Sequence, residues 1–429
     1  MRTLQVLVTL LAFASQAVAA EPRAWVEDNL PPIVALYKEL HQSPELSYQE
    51  EQTSQRMAKE LKAVGAEVTT GVGGFGVIGI LKNGTGPMLM LRADMDALPV
   101  TERTGLAYAS TVKVKNPDDG NETGVMHACG HDVHMANLVG VARYLAANKG
   151  EWKGTVMFLF QPAEERGGGA KAMLGDKLFE RFGKPDLAVA FHVDSYLETG
   201  KVGFRGGYAM ANVDSVDITL KGKGGHGSQP QSTIDPIAQA GYLIVELQSI
   251  VSREIDPREA AVVTVGAIHG GTKHNIIPDT CELKLTVRSY TDEVRAKLLE
   301  AIERKAKAVA ASFKAPEPEV KFSEGTPALF NHEDLTNQIA ATLRKTLGKD
   351  NVVPALPSMG GEDFGRFGRA GVPICMYRVG SVNPDRLAKL RKDNAVPSAH
   401  SPLYYPDPQE TLRTSMTTMS QIVLDLLKK

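Results

Sequence analysis

The sequence is poor in cysteine, with three cysteines in 429 residues. They are Cys129, Cys281 and Cys375, and so sparse and odd a set argues against a framework of disulfides. At least one of these cysteines is therefore expected to have another role or to be buried and unreactive.

The sequence also lacks an excess of either charge. The 48 Lys and Arg residues nearly balance the 50 Asp and Glu residues, which leaves a formal net charge of -2. There is therefore no electrostatic reason to expect nucleic acid or an anionic membrane as a partner.

A long hydrophobic run is missing as well, apart from a short one at the N-terminus, where residues 1–20 read MRTLQVLVTLLAFASQAVAA. Arg2 precedes an apolar run that is too short to cross a bilayer comfortably, and Ala17-Val18-Ala19 matches the small-x-small pattern of a cleavage site. We predict that residues 1–20 are a signal peptide and that the protein is exported, to the periplasm or as a secreted protein. No membrane span is expected after removal of the signal.

The chain is longer than a single hydrophobic core usually grows, so two domains are expected. Apolar runs typical of buried strands alternate with loops and helical patterns, which predicts an α/β fold with a mainly parallel sheet. Residues 47–50 (SYQE) have capping-box spacing and predict a helix over residues 47–64. The predicted strands are residues 77–81, 88–91, 155–160, 187–191 and 372–377.

Between the predicted strands 187–191 and 372–377, the pattern of polar and apolar residues predicts a smaller, separate unit. Its predicted elements follow the order β-α-β-β-α-β, which is the ferredoxin-like arrangement. We therefore predict an inserted domain over residues 211–324 within an α/β domain formed by residues 21–210 and 325–429. The predicted strands of the insert are residues 213–220, 261–268, 281–290 and 318–322, and its helices are residues 236–251 and 292–312.

Residues 126–136, MHACGHDVHMA, place Cys129 among three histidines, His127, His131 and His134. A haem attachment needs C-x-x-C-H, and no second cysteine is near. A thiol hydrolase with a Cys/His pair is an alternative, but it leaves the polar loops described next without a role. A Cys-x-His pair entering a helix offers thiolate and imidazole to a metal such as zinc or manganese. The spacing does not decide which histidine is the ligand.

Further acidic and histidine side chains follow predicted strands or lie in loops. In open α/β sheets ligands bind beyond the carboxyl ends of the strands, where most of these groups would gather. Two adjacent carboxylates in a loop can divide their roles, one binding a cation and the other acting as a base. The residues are the pair Glu164 and Glu165, His192, the pair Glu362 and Asp363, and His400.

Over essentially the whole mature chain, the motifs resemble those of the co-catalytic metal exopeptidases and amidohydrolases. That family includes hippurate hydrolase, bacterial aminoacylases and carboxypeptidases, and plant indole-acetyl-amino-acid hydrolases. The motifs that carry the resemblance are LHQSPELSYQE, LRADMDALPV, MHACGHDVHMA, FQPAEE with its glycine run, FHV, KGKGGHGSQP, IDPI, GTKHNIIPD, TVRSY, GGEDF and AHSPLY.

The resemblance implies a metallopeptidase domain with two divalent metal ions (zinc, manganese, cobalt or nickel) and Cys129 bridging them. It also implies that Glu164 is the general base that activates the attacking water. The implied metal ligands are Cys129, His131, Glu165, His192 and His400.

One part of the motif set departs from the wider family, which carries His-x-Asp where this chain has Arg92-Ala93-Asp94. In the branch that the chain resembles, His131 supplies the missing imidazole. Asp94 and Asp96 are then expected to support the ligands rather than to bind metal. His127 and His134 are expected to orient the loop or to face the cleft, or to be no more than polar residues at a helix start.

In the insert, the resemblance implies that His226 stabilises the oxyanion, often from the partner subunit of a dimer, and that Asn275 and Arg288 hold the substrate's carboxylate. The insert is expected to act as a closing lid and to form a homodimer. The family usually has Pro-His after this glycine motif, whereas Gln231 follows Pro230 here. A role for a second histidine is therefore not expected.

The resulting hypothesis is a metal-dependent amidohydrolase that cleaves N-acyl or peptidyl amino acids with a free carboxylate. A dipeptidase or carboxypeptidase acting on short peptides is an alternative. A protein of another class, which binds amino-acid conjugates without cleaving them, is a second alternative, although a binder has no need of Glu164 as a base.

Overall fold

The computed structural model describes residues 21–323 and 325–428, so the predicted signal peptide, residues 1–20, lies outside the described residues. The helices are α1 (Pro22–Gln42), α2 (Glu51–Ala63), α3 (His131–Ala147), α4 (Gly169–Gly175), α5 (Leu178–Phe182), α6 (Pro236–Ser249), α7 (Asp292–Ser312), α8 (Glu333–Leu347), α9 (Gly365–Arg369), α10 (Pro384–Lys392) and α11 (Pro408–Leu426). The strands are β1 (Glu67–Val72), β2 (Gly76–Asn83), β3 (Met88–Asp94), β4 (Lys113–Lys115), β5 (Glu122–Gly124), β6 (Gly154–Gln161), β7 (Leu187–Glu198), β8 (Val202–Phe204), β9 (Gly207–Met210), β10 (Asn212–Lys221), β11 (Gly225–His226), β12 (Ala261–Gly270), β13 (Ile276–Ile277), β14 (Thr280–Ser289), β15 (Glu319–Phe322), β16 (Leu329–Asn331), β17 (Val352–Pro354) and β18 (Ile374–Val382).

The large sheet has eight strands in the order β1-β2-β6-β3-β7-β18-β8-β17. Its central strands β6, β3, β7 and β18 are parallel, whereas β1 and β2 are antiparallel additions at one side. The central strands are buried along most of their length, which explains why they read as continuous apolar runs. The predicted α/β fold with a mainly parallel sheet is confirmed.

Helices cover both faces of this sheet. On one face α1, α3, α8 and α11 pack into the largest hydrophobic cluster, and on the other face α4, α5 and α9 close a second cluster. Helix α3 is buried almost all round. Its first turn, which carries the Cys-x-His motif, is therefore held by packing on every side. Among the described residues, no helix is both long and apolar enough to cross a membrane.

The segment between β9 and β16 forms its own antiparallel sheet in the order β12-β14-β10-β15. Helices α6 and α7 contribute to a separate core beneath it. Strand β10 alternates buried and exposed residues, as expected when one face is packed and the other is solvated. The sequence order β10-α6-β12-β14-α7-β15 confirms the ferredoxin-like arrangement, whereas the domain boundaries stay a prediction.

The predicted capping box is wrong, because α2 begins at Glu51 rather than at Ser47. The Ser47 hydroxyl instead donates to Asp96 Oδ2 at 2.6 Å, and Glu50 Oε1 accepts the backbone N–H of Ala163 at 2.7 Å. Both side chains form hydrogen bonds with segments that are distant in the sequence, and local spacing does not reveal such contacts. These bonds hold the loop after β3 and the loop after β6 together.

A buried histidine joins α1 to the start of α3. His41 Nδ1 lies 2.7 Å from Asp132 Oδ2, and His41 Nε2 lies 3.2 Å from Glu102 Oε1. Burial alone would lower the pKa of His41, but the two carboxylates outweigh burial and raise its pKa to about 9. His41 is therefore charged at neutral pH and balances two buried acids.

This histidine makes stability depend on pH. Because its folded pKa of about 9 exceeds the ordinary value of 6.5, its contribution is complete below pH 6.5 and is lost as the pH rises through about 9. We expect the free energy of unfolding of wild type to exceed that of His41→Gln by roughly 2–3 kcal/mol at pH 6, and this gap to narrow toward pH 10. Urea unfolding at both pH values measures the gap, and a gap that does not change with pH would contradict the assignment.

Candidate metal centre

The Cys-x-His pair is positioned by a sharp turn into α3. Gly130 lies between Cys129 and His131 with a φ of 83°, in the left-handed region that favours glycine. A Cβ atom at this position would come within 2.6 Å of Val193 Cγ2. Glycine is therefore required here, and the turn delivers the thiol and the imidazole to the edge of the large sheet.

All five predicted ligands come together at this edge. One set of donor atoms, each within 4.8 Å of the others, belongs to Cys129, His131 and His192, and a second set belongs to Cys129, Glu165 and His400. The two sets share the thiol of Cys129. A thiolate that belongs to two groups of donors can bridge a pair of metal ions.

Hydrogen bonds distinguish two histidines of the MHACGHDVHMA stretch. His131 Nδ1 donates to the backbone carbonyl of Asp96 at 2.8 Å, and His131 Nε2 is buried without a hydrogen-bond partner among the described residues. His134 uses both nitrogens, since Nδ1 donates to Asp94 Oδ1 at 2.6 Å and Nε2 accepts the Val193 N–H at 3.1 Å. His131 therefore has a nitrogen without a hydrogen bond that can bind a metal ion, whereas both nitrogens of His134 are already hydrogen-bonded.

The third histidine of the stretch, His127, is buried and belongs to none of the donor sets found in the described part of the chain. Burial lowers its pKa to about 4, so it is neutral. His192, by contrast, resembles His131. Its Nδ1 donates to the carbonyl of Val193 at 2.7 Å, which leaves Nε2 3.4 Å from Cys129 Sγ. Such a bond fixes the tautomer that binds a metal.

The remaining donors lie around the carboxylate of Glu165. Glu165 Oε1 is buried without a partner among the described residues, and Glu165 Oε2 lies 3.3 Å from Nε2 of His400. Burial, together with the charge of Glu165, raises the pKa of the Cys129 thiol. A thiol nucleophile needs a lowered pKa, which argues against the thiol hydrolase. A divalent cation would pair with the carboxylate and hold the thiolate, so these residues fit the expected metal ions.

Glu164 differs from its neighbour. Its carboxylate lies 3.9 Å from His131 Nε2 and forms no hydrogen bond with another residue of the described ranges 21–323 and 325–428. Burial raises the pKa of Glu164 well above its ordinary value, and the charges of Glu362 and Glu165 add to the effect. A carboxylate with a raised pKa beside the donor sets is suited to accept a proton.

A buried arginine balances part of this negative charge, and its partners were not foreseen from the sequence. The Arg92 guanidinium donates to Asp94 Oδ2 at 2.8 Å, to Glu362 Oε1 at 2.8 Å and to Gln161 Oε1 at 3.0 Å. It also reaches Asp363 Oδ1 at 3.2 Å. Both the RAD and the GGEDF motifs are visible in the sequence, but nothing in either indicates that they pair.

Asp94 and Asp96 lie next to the predicted ligands, and Asp94 forms a further donor set with His131 and His134. Asp94 accepts from His134 and Arg92, and Asp96 Oδ2 accepts the Glu165 N–H at 2.9 Å. The carbonyl of Asp96 also fixes His131. Asp96 thus contacts two predicted ligands, whereas Asp94 bonds His134 and Arg92 and lies 3.5 Å from His131 Nε2. The supporting role of both carboxylates stays a prediction.

A cavity of about 1220 Å³ opens beside the donor sets. Cys129, Glu164 and His400 line it, and the insert contributes Arg288. His226 and Asn275 do not line this cavity; they lie exposed on the insert, where the Asn275 carbonyl accepts the N–H of Gly227. The structure thus brings one of the three predicted substrate-binding residues to the site.

Known proteins are similar to this chain over most of its length. Residues 90–396 match the family model described as "Peptidase family M20/M25/M40". The chain is 39% identical over 333 residues to hippurate hydrolase of Campylobacter jejuni, covering 77% of this chain and 83% of that protein. It is 33% identical over 415 residues to IAA-amino acid hydrolase ILR1-like 2 of Arabidopsis thaliana, covering 94% and 89%.

A solved structure is similar over nearly the whole chain. It is the YXEP protein of Bacillus subtilis, described as a dinuclear metal binding peptidase from the M20 family, with a TM-score of 0.76 and 31% identity. The match covers 94% of this chain and 99% of that one.

The hydrogen bonds of the two histidines lead to a test of metal binding. We expect His131→Gln to lower metal affinity far more than His134→Gln, because only His131 has a nitrogen to spare. Loss of a residue that merely orients ligands costs roughly 10- to 100-fold in affinity. Elemental analysis after dialysis against graded chelator measures the difference. Equal losses in the two variants would refute the assignment.

Proposed function

This chain belongs to peptidase family M20/M25/M40 and is a metal-dependent amidohydrolase, and we propose that it cleaves N-acyl amino acids that carry a free carboxylate, with Glu164 as the general base. The names of its relatives support this substrate class. Hippurate hydrolase and IAA-amino acid hydrolase are named for amides between an organic acid and an amino acid.

One observation carries the proposal: the Glu164 carboxylate faces the cavity beside the donor sets without a hydrogen-bond partner in the described chain. A protein that only binds conjugates has no use for a free carboxylate at this point. In a hydrolase, the same carboxylate can take a proton from the attacking water and pass it to the leaving amine.

The proposed metal ligands are Cys129, His131, Glu165, His192 and His400, with Cys129 shared. Two bound divalent ions would polarise the scissile carbonyl and make water a stronger nucleophile. The expected metal is zinc, manganese, cobalt or nickel. Thiolate suits zinc, imidazole suits zinc and nickel, and carboxylate suits manganese.

On the substrate side, Arg288 is the proposed anchor for the α-carboxylate. Its guanidinium lines the cavity and bonds Thr286 Oγ1 at 2.9 Å and the Met359 carbonyl at 3.4 Å, with no carboxylate partner among the described residues. Planar donors of this kind bind carboxylates through two parallel bonds.

We further propose that the protein is an exported homodimer formed through the insert. Export is inferred from the signal-peptide pattern of residues 1–20. The dimer is inferred from His226 and Asn275, which have the expected motifs yet lie exposed and outside the cavity of their own chain. In a dimer, these side chains would reach the partner's cavity when the insert closes.

A substrate panel tests the reaction. We expect protein reconstituted with Mn²⁺, Zn²⁺ or Co²⁺ to hydrolyse N-acetyl and N-benzoyl amino acids faster than dipeptides, and chelation to abolish turnover. Faster cleavage of dipeptides would favour the alternative dipeptidase or carboxypeptidase. Activity that survives exhaustive chelation would exclude the metal mechanism.

Glu164→Gln is the matched control for this panel. It keeps the shape of the side chain and should retain bound metal, while turnover falls by roughly 10²–10⁴-fold, the usual contribution of a general base. Wild-type protein that binds acyl amino acids but releases no product would support the non-catalytic alternative.

Mixing two inactive variants tests the role of the dimer. We expect His226→Ala and Glu164→Gln each to be inactive alone and a refolded mixture to regain part of the activity. In a mixed dimer, His226 from one subunit would complete the Glu164-containing site of the other. If His226 acts within its own chain, the mixture should stay inactive.

A further inference from the structure

A second arginine lines the cavity without a carboxylate partner. Arg378 lies on β18 and is half-buried, whereas the other residues of this strand are buried. It is the one charged residue of β18, and it lines the cavity. Its Nη2 lies 2.9 Å from Met210 Sδ, which is a weak acceptor. Within the described ranges, no carboxylate forms an ion pair with Arg378.

The environment of Arg378 contrasts with that of other arginines near the site. Arg92 is fully buried and bonds three carboxylates. Arg391 is exposed and lies 3.7 Å from Glu198. Placing a positive charge in a buried strand without a counter-charge is costly, and such groups concentrate where a ligand supplies the missing charge.

Arg378 lies on the same face of the large sheet as a proposed metal ligand. In the parallel pair of β18 with β7, Arg378 is in register with His192. Residues in register on neighbouring strands project from the same face of a sheet. Arg378 therefore stands beside a proposed metal ligand, on the cavity side of the sheet.

The cavity wall next to Arg378 is apolar. A Cβ atom placed on Gly203 would lie 3.4 Å from Arg378 Cβ and 3.5 Å from Ala355 Cβ, so Gly203 separates the arginine stem from residues 353–356. Those residues line the same cavity, and Leu356 is 90% exposed. An apolar wall leading to a guanidinium fits a short aliphatic chain that ends in an anion.

Arg288 and Arg378 are linked through the segment that contains Ser358 and Met359. Arg288 bonds the carbonyl of Met359, while Arg378 bonds Met210, which is bridged to Ser358. Both residues also line the same cavity, and this pair fits a single substrate with two anionic groups.

We propose that Arg378 binds a second anionic group of the substrate, in addition to the α-carboxylate assigned to Arg288. The preferred substrate class is then an N-acyl amino acid with a further carboxylate at the end of a short aliphatic chain. That carboxylate belongs either to the acyl group or to the amino-acid side chain. This inference rests on the proposed function.

Four substrates test the proposal and locate the anion. N-succinyl-L-leucine against N-acetyl-L-leucine tests the acyl side, and N-acetyl-L-glutamate against N-acetyl-L-glutamine tests the side-chain position. We expect wild type to prefer the anionic member of one pair by about 10- to 100-fold in kcat/KM, the range for a charge-assisted pair. Arg378→Met should lose that preference, because its kcat/KM falls much further for the anionic members than for the neutral ones.

Arg391→Met is the matched control, because it removes the same charge near the cavity from a residue that does not line it. It should leave the preference unchanged. An Arg378→Met variant that is impaired equally on all four substrates would show a structural role only and would overturn the proposal.

Calorimetric titration with glutarate and with butyrate separates this proposal from the proposed function. Wild type should bind glutarate more tightly, and Arg378→Met should bind the two alike. If wild type cleaves all four substrates without preference, the Arg378 proposal fails and the amidohydrolase proposal stands. If it cleaves none, the substrate class proposed above fails, and the glutarate comparison alone decides the role of Arg378.

Discussion

Buried negative charge at the edge of the large sheet is the constraint on which the site depends. Carboxylates such as Glu164, Glu165 and Glu362 repel one another strongly when water is excluded, and burial alone penalises each of them. Arg92 offsets this charge on one side of the group, through its bonds to Glu362 and its neighbours. On the other side the chain offers imidazoles and the Cys129 thiol, together with donor atoms that have no hydrogen-bond partner within residues 21–323 and 325–428. Divalent cations supply the charge that the polypeptide does not.

The fold explains why these groups meet. The parallel strands β6 and β7 end at one edge of the sheet, and the start of α3 faces the same edge, so three distant segments deliver side chains to one place. Gly130 permits the turn that brings Cys129 and His131 there together. The insert then adds Arg288 to the lining of the cavity, and β18 adds Arg378. Chemistry and substrate recognition are thus contributed by different parts of the chain.

Much of this could be predicted from the sequence, because the apolar runs and the local metal-binding motifs are continuous segments. The features that could not be predicted depend on contacts between segments that are distant in the sequence. His131 and His134 look equivalent in the motif, and only the Asp96 carbonyl and the Val193 N–H separate them. Ser47 lies at the spacing expected of a helix cap, but its hydroxyl donates a hydrogen bond to a carboxylate in another loop. The position of His226 outside the cavity follows from the placement of the insert, which no local pattern encodes.

The central claim is that one thiol, that of Cys129, is shared by two metal ions. Anomalous X-ray diffraction from crystals of the zinc-loaded protein tests it most directly. The account predicts two zinc peaks per chain, each about 2.3 Å from Cys129 Sγ, the usual zinc–sulfur bond length. A single peak, or two peaks that leave the Cys129 sulfur unbound, would contradict it.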